Sequence, residues 1–413
     1  MRTPFLLLFL TLTTAAQAET VTVRFDDLPA LIASQNRRVL AGEDLAASEK
    51  SRTGHLTRSF LPHVKAYGGG EAFQTGDFGE MTQPVGGVEG RINLFRGGRD
   101  GLEEKIRKGL AAISESALEQ RSREELLRAR RLFSEILFYR QKISDLKEAI
   151  SLCRQTTGLV QRRIDAGLTT ETDRLEFDIT RRQFEQELAL AQEDYEHTVD
   201  ELRIVLGLTD GLDVQGSLSH FHDADLEEAR LKSREHPEVK QLQGQKEISQ
   251  MQKKQSNRWW TPSVDLYGGY TLYPFRERER FSLGGRDEAV VGGRITFEIF
   301  DGLNSSAEAA AQKHRAAAFR QEAARKGEEV EGLFRRLQHE LKARHEVVHL
   351  IERNLSEGRR YLSLSTEEYE RGVKNSRDML ASLQRFLDQE RNHSTALMEY
   401  LTVKSELLGL LGR

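Results

Sequence analysis

Between residues 136 and 164 a mainly apolar seam runs through Ile136, Tyr139, Ile143, Leu146, Ile150, Cys153, Thr157, Val160 and Ile164, alternating steps of three and four. That 3.5-residue period predicts helices that wind around one another. The remaining positions are crowded with Arg, Glu, Gln and Lys, so the apolar stripe is narrow. No proline interrupts residues 97–206. The pattern predicts one helix over about 98–165, roughly 100 Å long at 1.5 Å per residue. A turn follows at 166–170, and a second helix returns over about 170–206.

A different period appears elsewhere. Ile295, Phe297 and Ile299 alternate with Arg294, Thr296 and Glu298, and Val264, Leu266, Tyr270 and Leu272 alternate with Ser263, Asp265 and Thr271. Ile92 and Leu94 do the same against Arg91 and Asn93. Alternation predicts strands with one apolar face, over about 61–73, 85–95, 262–274 and 290–300. Such strands suit a soluble sandwich, and their length also suits a tilted crossing of an outer membrane. Phe60, Trp259 and Trp260 before the strands, with Tyr273, Phe275 and Phe281 at the far end, fit interfacial girdles or core packing equally. Four strands cannot close a barrel, which needs about eight, and lipid does not tolerate an open edge. If these strands span a membrane, several copies must pool them.

The two patterns belong to one internal repeat. The run SFLPHVKAYGG at 59–69 returns as WWTPSVDLYGG at 259–269, a shift of 200. Leu94-Phe95-Arg96-Gly97 returns as Ile299-Phe300-Asp301-Gly302, a shift of 205, which also carries Ile143 to Val348, Ile150 to Leu355, Gly167 to Gly372 and Asp173 to Asp378. Each copy reads helix, strand, strand, long helix, turn, helix, with short first helices at about 34–59 and 234–260 and return helices at about 170–206 and 375–411. The expected divisions are 1–18, 19–207 as the first repeat, 208–233 as a connecting segment, and 234–413 as the second repeat.

Composition narrows the setting. Residues 1–18 have a basic start, an apolar run from Phe5 to Leu12 and Ala16-Gln17-Ala18 before Glu19, the pattern of a secretory signal peptide. The apolar core is too short to span a bilayer, and the residue after the expected cut is not Cys, so no lipid anchor is expected. A single cysteine in 413 residues rules out an internal disulfide, and Cys153 falls in the seam, where a thiol packs as a small hydrophobe. A net charge of −4 favours neither nucleic acid nor an anionic surface. With 38% apolar and 31% charged residues, the chain resembles long solvated helices more than a thick globular core.

The repeated order resembles the TolC-like outer-membrane efflux and export channels over nearly the whole mature length. The resemblance rests on Pro62 and Pro262 before a strand, on Leu94-Phe95-Arg96-Gly97-Gly98 and Ile299-Phe300-Asp301-Gly302 after one, and on two tip patterns. Those tips are Arg163, Gly167, Asp173 with Leu175, and Tyr369, Gly372, Asp378 with Leu380. The family implies a mainly α fold with a small β part: long antiparallel hairpins forming a periplasmic α-barrel, and four strands per chain given to a twelve-stranded transmembrane β-barrel. It implies a homotrimer in the outer membrane of a Gram-negative-type cell, surrounded by lipid. Its role would be a passive conduit in a tripartite efflux or type I secretion system, with a periplasmic adaptor and an inner-membrane transporter. No cofactor and no catalytic or metal residue is expected. Asp173 and Asp378 become entrance candidates, although an acidic residue in a first helical turn also complements the dipole. Gly167, Leu168, Gly372 and Val373 become adaptor-docking candidates. Arg174 and Arg377, beside the aspartates, depart from the usual acidic tip, and 208–233 would be a belt.

Two other readings use the same residues. A periplasmic coiled-coil scaffold or adaptor would pack the strands in a soluble sandwich. A zinc peptidase would use His345-Glu346-Val347-Val348-His349, which matches the His-Glu-x-x-His signature. Against the latter, the seam runs through Leu341 and Val348, placing both histidines off it, on a helix with no cleft. His220, His222, Asp223 and Asp225 form a further polar cluster, which reads as a loop.

Overall fold

The computed structural model describes residues 21–75, 79–209, 211–218, 226, 229–272 and 287–413. The expected leader at 1–18, the aromatic residues Tyr273, Phe275 and Phe281, and the cluster at 220–225 lie outside them. Among the described residues the helices are α1 (Leu28–Gln35), α2 (Arg37–Ser51), α3 (His55–Ser59), α4 (Arg99–Asp165), α5 (Glu171–Leu206), α6 (Pro237–Ser256), α7 (Asn304–Glu370) and α8 (Ser376–Leu411). The strands are β1 (Val21–Val23), β2 (His63–Thr75), β3 (Gly79–Arg96), β4 (Leu212–Val214), β5 (Ser263–Leu272) and β6 (Asp287–Thr296). The long helices α4 and α7 both have 67 residues and the return helices α5 and α8 both have 36. The sequence periods therefore locate the long helices to within a residue or two.

The chain forms two compact units, each drawing on both halves of the sequence: 1–40, 121–231 and 332–413 in one, 41–120 and 232–331 in the other. The first unit has thin cores strung along helical seams. One buries Leu146, Ile150, Cys153 and Val160 of α4 with Phe177 and Phe184 of α5, Leu355, Leu362 and Tyr369 of α7, and Leu383 and Phe386 of α8. A second joins Leu337, Leu341 and Val348 of α7 to Leu397, Tyr400, Val403 and Leu407 of α8. Thus the expected seam positions Ile136, Leu146, Ile150, Cys153 and Val160 are buried, as are Leu341, Val348, Leu355 and Tyr369, the second-copy counterparts of Ile136, Ile143, Ile150 and Ile164. Burial pushes the Cys153 thiol up to about 11, with Arg181 opposing, so the lone cysteine is a packing group here.

The same unit holds a feature absent from the sequence reading. β1 pairs parallel with β4, Val21 opposite Leu212 and Val23 opposite Val214. Next to it Phe25 meets Phe133 edge-on at 5.6 Å between centroids. The segment expected to be a mere connection thus supplies a strand.

The short helix expected at about 34–59 is three pieces. Asn36 breaks it first. Its Oδ1 accepts the N–H groups of Arg38 and Val39, both at 2.9 Å, which caps α2. Its Nδ2 donates to Glu125 Oε2 at 3.1 Å and to the Val205 carbonyl at 2.7 Å. A capping asparagine tied on its other side to two distant helices ends α1 more favourably than a continued helix would. The second break lies at 52–54 in the other unit, where the Glu104 carboxylate accepts the Gly54 and Leu56 N–H groups at 3.1 and 3.4 Å. Burial works against that carboxylate, but the donors outweigh it and hold its pKa below the ordinary value.

The second unit contains the sheet, with strand order β2-β3-β5-β6, antiparallel throughout. β6 stops at Thr296, short of the expected 300, because β5 begins at Ser263 and offers no partner beyond that pair. A bulge between Asn93 and Phe95 shifts the β3–β5 register by one residue. At the foot of the sheet the buried Asn93 donates through Nδ2 to Asp100 at 2.9 Å. Arg258 donates to the carbonyls of Gly97 and Gly98 at 3.3 and 3.2 Å. These bonds fix where the strand ends and the helix begins.

Candidate functional site: a two-faced sheet and two helix tips

In an antiparallel sheet, directly opposed residues share a face. Tyr67 lies opposite Gly87, Gly87 opposite Thr271, and Thr271 opposite Glu288. Stepping by two from that row places Lys65, Glu89, Arg91, Asp265, Tyr267 and Arg294 on one face. The other face carries Val64, Ala66, Val88, Ile92, Val264, Leu266, Tyr270, Leu272, Val291 and Ile295. The division holds across all four strands apart from Val85 and Val290 on the polar face and Asp287 on the apolar one. The apolar face is not packed against protein: Val64 is 67% exposed, Val291 85% and Ile295 64%. A contiguous exposed apolar surface of this kind marks contact with lipid or a partner. The strands span 13, 18, 10 and 10 residues, enough to cross a bilayer when tilted.

The polar face has a repeated device. The Tyr67 ring lies across its opposed Gly87, and its hydroxyl hydrogen-bonds Thr271 Oγ1 one strand further on at 2.7 Å. A Cβ at Gly87 would stand 2.8 Å from the Tyr67 hydroxyl oxygen, and a Cβ at Gly292 the same distance from that of Tyr267. Both tyrosines therefore lie flat on a glycine and cover its exposed backbone, and Arg294 stacks on the Tyr267 ring at 5.0 Å.

The tips are built by the same backbone solution twice. At the end of α4, Gly167 takes φ 71° and the Leu168 N–H donates to the Arg163 carbonyl at 2.8 Å. At the end of α7, Gly372 takes φ 79° and the Val373 N–H donates to the Glu368 carbonyl at 2.8 Å. This is the left-handed termination glycine favours. Leu168 and Val373 stand on the far side of the glycines, 69% and 74% exposed.

The carboxylates differ. Asp173 accepts the Thr169 hydroxyl and, at 3.5 Å, the Thr170 N–H, reaching back to cap its own helix. At the other tip Asn375 does the capping, accepting the Asp378 N–H at 2.8 Å, and the Asp378 side chain is left exposed. Arg174 is engaged by Glu171 and by Asp178 at 3.2 Å, not by Asp173. Sequence reading noted Arg174 and Arg377 beside the aspartates of their own tips. It missed that Arg163 donates to the Tyr369 carbonyl at 2.8 Å and stacks on that ring at 4.9 Å, joining one tip to the other. The signal lay in the residue types at the two tips, a cation at Arg163 in one copy and an aromatic ring at Tyr369 in the other, which together can stack.

The His-Glu-x-x-His segment lies on α7. His345 is half-buried with its ring 5.9 Å from Tyr400, and His349 is exposed beside Glu352 at 3.2 Å. Among the described residues no group of three or more His, Cys, Asp or Glu is placed to hold a metal ion. No described helix is long and apolar enough to cross a membrane.

Residues 231–413 match the outer membrane efflux protein family. No curated protein matches the chain. In fold it is similar to the outer-membrane channel OprN, at 16% identity and TM-score 0.77, over 94% of this chain and 89% of that one. It is likewise similar to VceC from Vibrio cholerae, at 13% identity and TM-score 0.77, over 94% and 96%. The open state of MtrE from Neisseria gonorrhoeae gives 12%, TM-score 0.77, 94% and 89%. Residues 231–413 thus match the outer membrane efflux protein family by sequence, and nearly the whole chain has the fold of the outer-membrane channels OprN and VceC.

Proposed function

We propose that this chain is the outer-membrane channel of a tripartite efflux or type I secretion system, a passive conduit from periplasm to exterior and not an enzyme. The carrying observation is the sheet: one face polar, the other apolar and exposed, both edges unpaired. Lipid leaves no room for unpaired backbone, so such a sheet is stable in a membrane only when copies close it into a barrel. Three copies give the twelve strands expected. A soluble sandwich, as in a scaffold or adaptor, would bury the apolar face that this fold leaves open.

After removal of residues 1–18, the repeats 19–207 and 234–413 would each contribute two strands and one long hairpin, with 208–233 between them. The tips form the periplasmic entrance. Asp173 and Asp378 stand there as charged candidates, and Gly167, Leu168, Gly372 and Val373 offer a small, exposed surface to a periplasmic adaptor that links the channel to an inner-membrane transporter.

The test is the mass of the purified, detergent-corrected particle, with ion conductance after insertion into a planar bilayer. A trimer that conducts supports the reading. A stable monomer in detergent-free buffer overturns it.

A further inference from the structure

The sheet ends on two open edges, β2 and β6, and the internal repeat supplies the register in which such edges meet. Adding 200 to a residue of β2 and 205 to its partner on β3 turns the pairs from His63–Arg91 to Ala72–Thr82 into those of the second hairpin. His63 opposite Arg91 becomes Ser263 opposite Thr296, and Tyr67 opposite Gly87 becomes Tyr267 opposite Gly292. The junction between the hairpins, β3 with β5, joins the second strand of one repeat to the first strand of the next. Closing copies into a ring requires one more junction of that kind, from β6 to the β2 of another copy. The same offsets convert Glu89 opposite Gly269 and Asn93 opposite Asp265 into Arg294 opposite Gly69 and Glu298 opposite Lys65. Past the bulge, Phe95 opposite Val264 becomes Phe300 opposite Val64.

We infer that β6, continued through Phe300, pairs antiparallel with β2 of a second copy, with Glu298 opposite the partner's Lys65 and Phe300 opposite the partner's Val64. This rests on the channel reading, since it needs copies that close a ring. Charge favours the register. Asn93 is neutral where Glu298 is acidic, so the repeat has diverged to put opposite charges face to face at the junction between copies. Among the described residues neither Lys65 nor Glu298 has an ion pair within its own chain. A one-residue slip would set Glu298 opposite an apolar residue and reverse every side chain of the strand.

The tail beyond Thr296 agrees. Phe297, Ile299 and Phe300 are 62%, 90% and 72% exposed, because β5 ends before it can pair them. β2 of another copy begins at His63 and reaches that far. Ile299 then takes the bulge position that Leu94 holds in the internal junction. The faces also run on: Glu298 keeps step with Arg294 on the polar face, and Phe300 meets Val64 on the apolar one.

The register is read by disulfide trapping in the full-length protein. Within one chain the two edges are three strand spacings apart, about 14 Å, and a disulfide needs Cα atoms within about 7 Å. Any link between Lys65→Cys and Glu298→Cys therefore joins two copies. Cys153 is fully buried and stays out of the reaction. Oxidation of the Lys65→Cys/Glu298→Cys protein should give covalent oligomers on a non-reducing gel. Pairs of Lys65→Cys with Ile299→Cys or with Thr296→Cys should give far less. Lys65→Glu should lower the temperature at which the oligomer dissociates, and adding Glu298→Lys should restore it. An oligomeric particle in which only a slipped pair cross-links, or in which the charge swap restores nothing, overturns this register and leaves the channel reading standing. A particle that is monomeric in detergent overturns both.

Discussion

At the first tip Asp173 is bound to its own helix, accepting the Thr169 hydroxyl and the Thr170 N–H. At the second, Asn375 takes that duty and Asp378 is left free. Both tips keep the glycine in the left-handed conformation, the cap residue and the acid at the third helical position. The hairpin geometry dictates those features, because a helix end without them strands N–H and C=O groups. The destination of the carboxylate is not so dictated, so one repeat spends it on the cap and the other leaves it available to solvent.

The largest expected effect treats the tips alike. Gly167→Trp and Gly372→Trp should each abolish efflux of a dye from whole cells while trimers still form on native gels. No atom lies within 4 Å of a Cβ at Gly167, and only the Arg163 guanidinium lies within reach of one at Gly372. The fold therefore bears chiefly the backbone strain, about 1–2 kcal/mol, whereas an approaching adaptor meets the indole. Full efflux in either variant would show that its tip is not a docking surface.

Next comes the link between the tips. Arg163→Ala removes a charged hydrogen bond and a cation–π contact, about 2 kcal/mol together. Amide exchange around 366–374 should rise accordingly, with Arg163→Lys intermediate. Unchanged exchange there would mean the tips are held by packing alone, through Phe177 and Tyr369.

The aspartates separate the tips most sharply. Asp173→Ala should cost about 1 kcal/mol of stability as a lost cap, whereas Asp378→Ala should stay within about 0.5 kcal/mol. Conversely, block of single-channel current by multivalent cations should weaken in Asp378→Ala and persist in Asp173→Ala. Equal behaviour in both assays would erase the distinction drawn from their hydrogen bonds.

The smallest effect lies further along α4. Burial raises the Asp145 carboxyl to about 6, with Gln141 opposing, Glu390 and Glu148 adding, and Arg359 opposing. The folded value exceeds the ordinary 3.8, so between about pH 4 and 6 the folded chain binds more protons than the unfolded one. The stabilisation from that proton is present at low pH and is lost as pH rises through 6. Asp145→Asn should raise the melting temperature at neutral pH and flatten its decline from pH 4 to 7. An unaltered pH profile would place the carboxyl in solvent.

Much of this fold could be read without coordinates. A 3.5-residue period sustained for many turns has one low-energy solution, so α4 and α7 were legible almost to the residue. Alternation marked the strands, and the offsets of 200 and 205 reappear unchanged as the pairing register of the two hairpins. Local rules reach this far because backbone hydrogen bonds in helices and hairpins connect residues near in sequence.

What the tertiary structure alone decided involves partners far apart in the chain. Val21 pairs with Leu212, and three residues are too few for alternation to carry information. Asn36 could have continued a helix, and only the Val205 carbonyl and Glu125 across the fold make breaking it favourable. Thr296 ends β6 because its neighbour ends, not because its own sequence changes. Asp173 and Asp378 occupy the same place in the same motif, yet a threonine at one cap and an asparagine at the other give them different partners. In each case the choice among locally acceptable conformations is made by which distant group is left to receive a hydrogen bond.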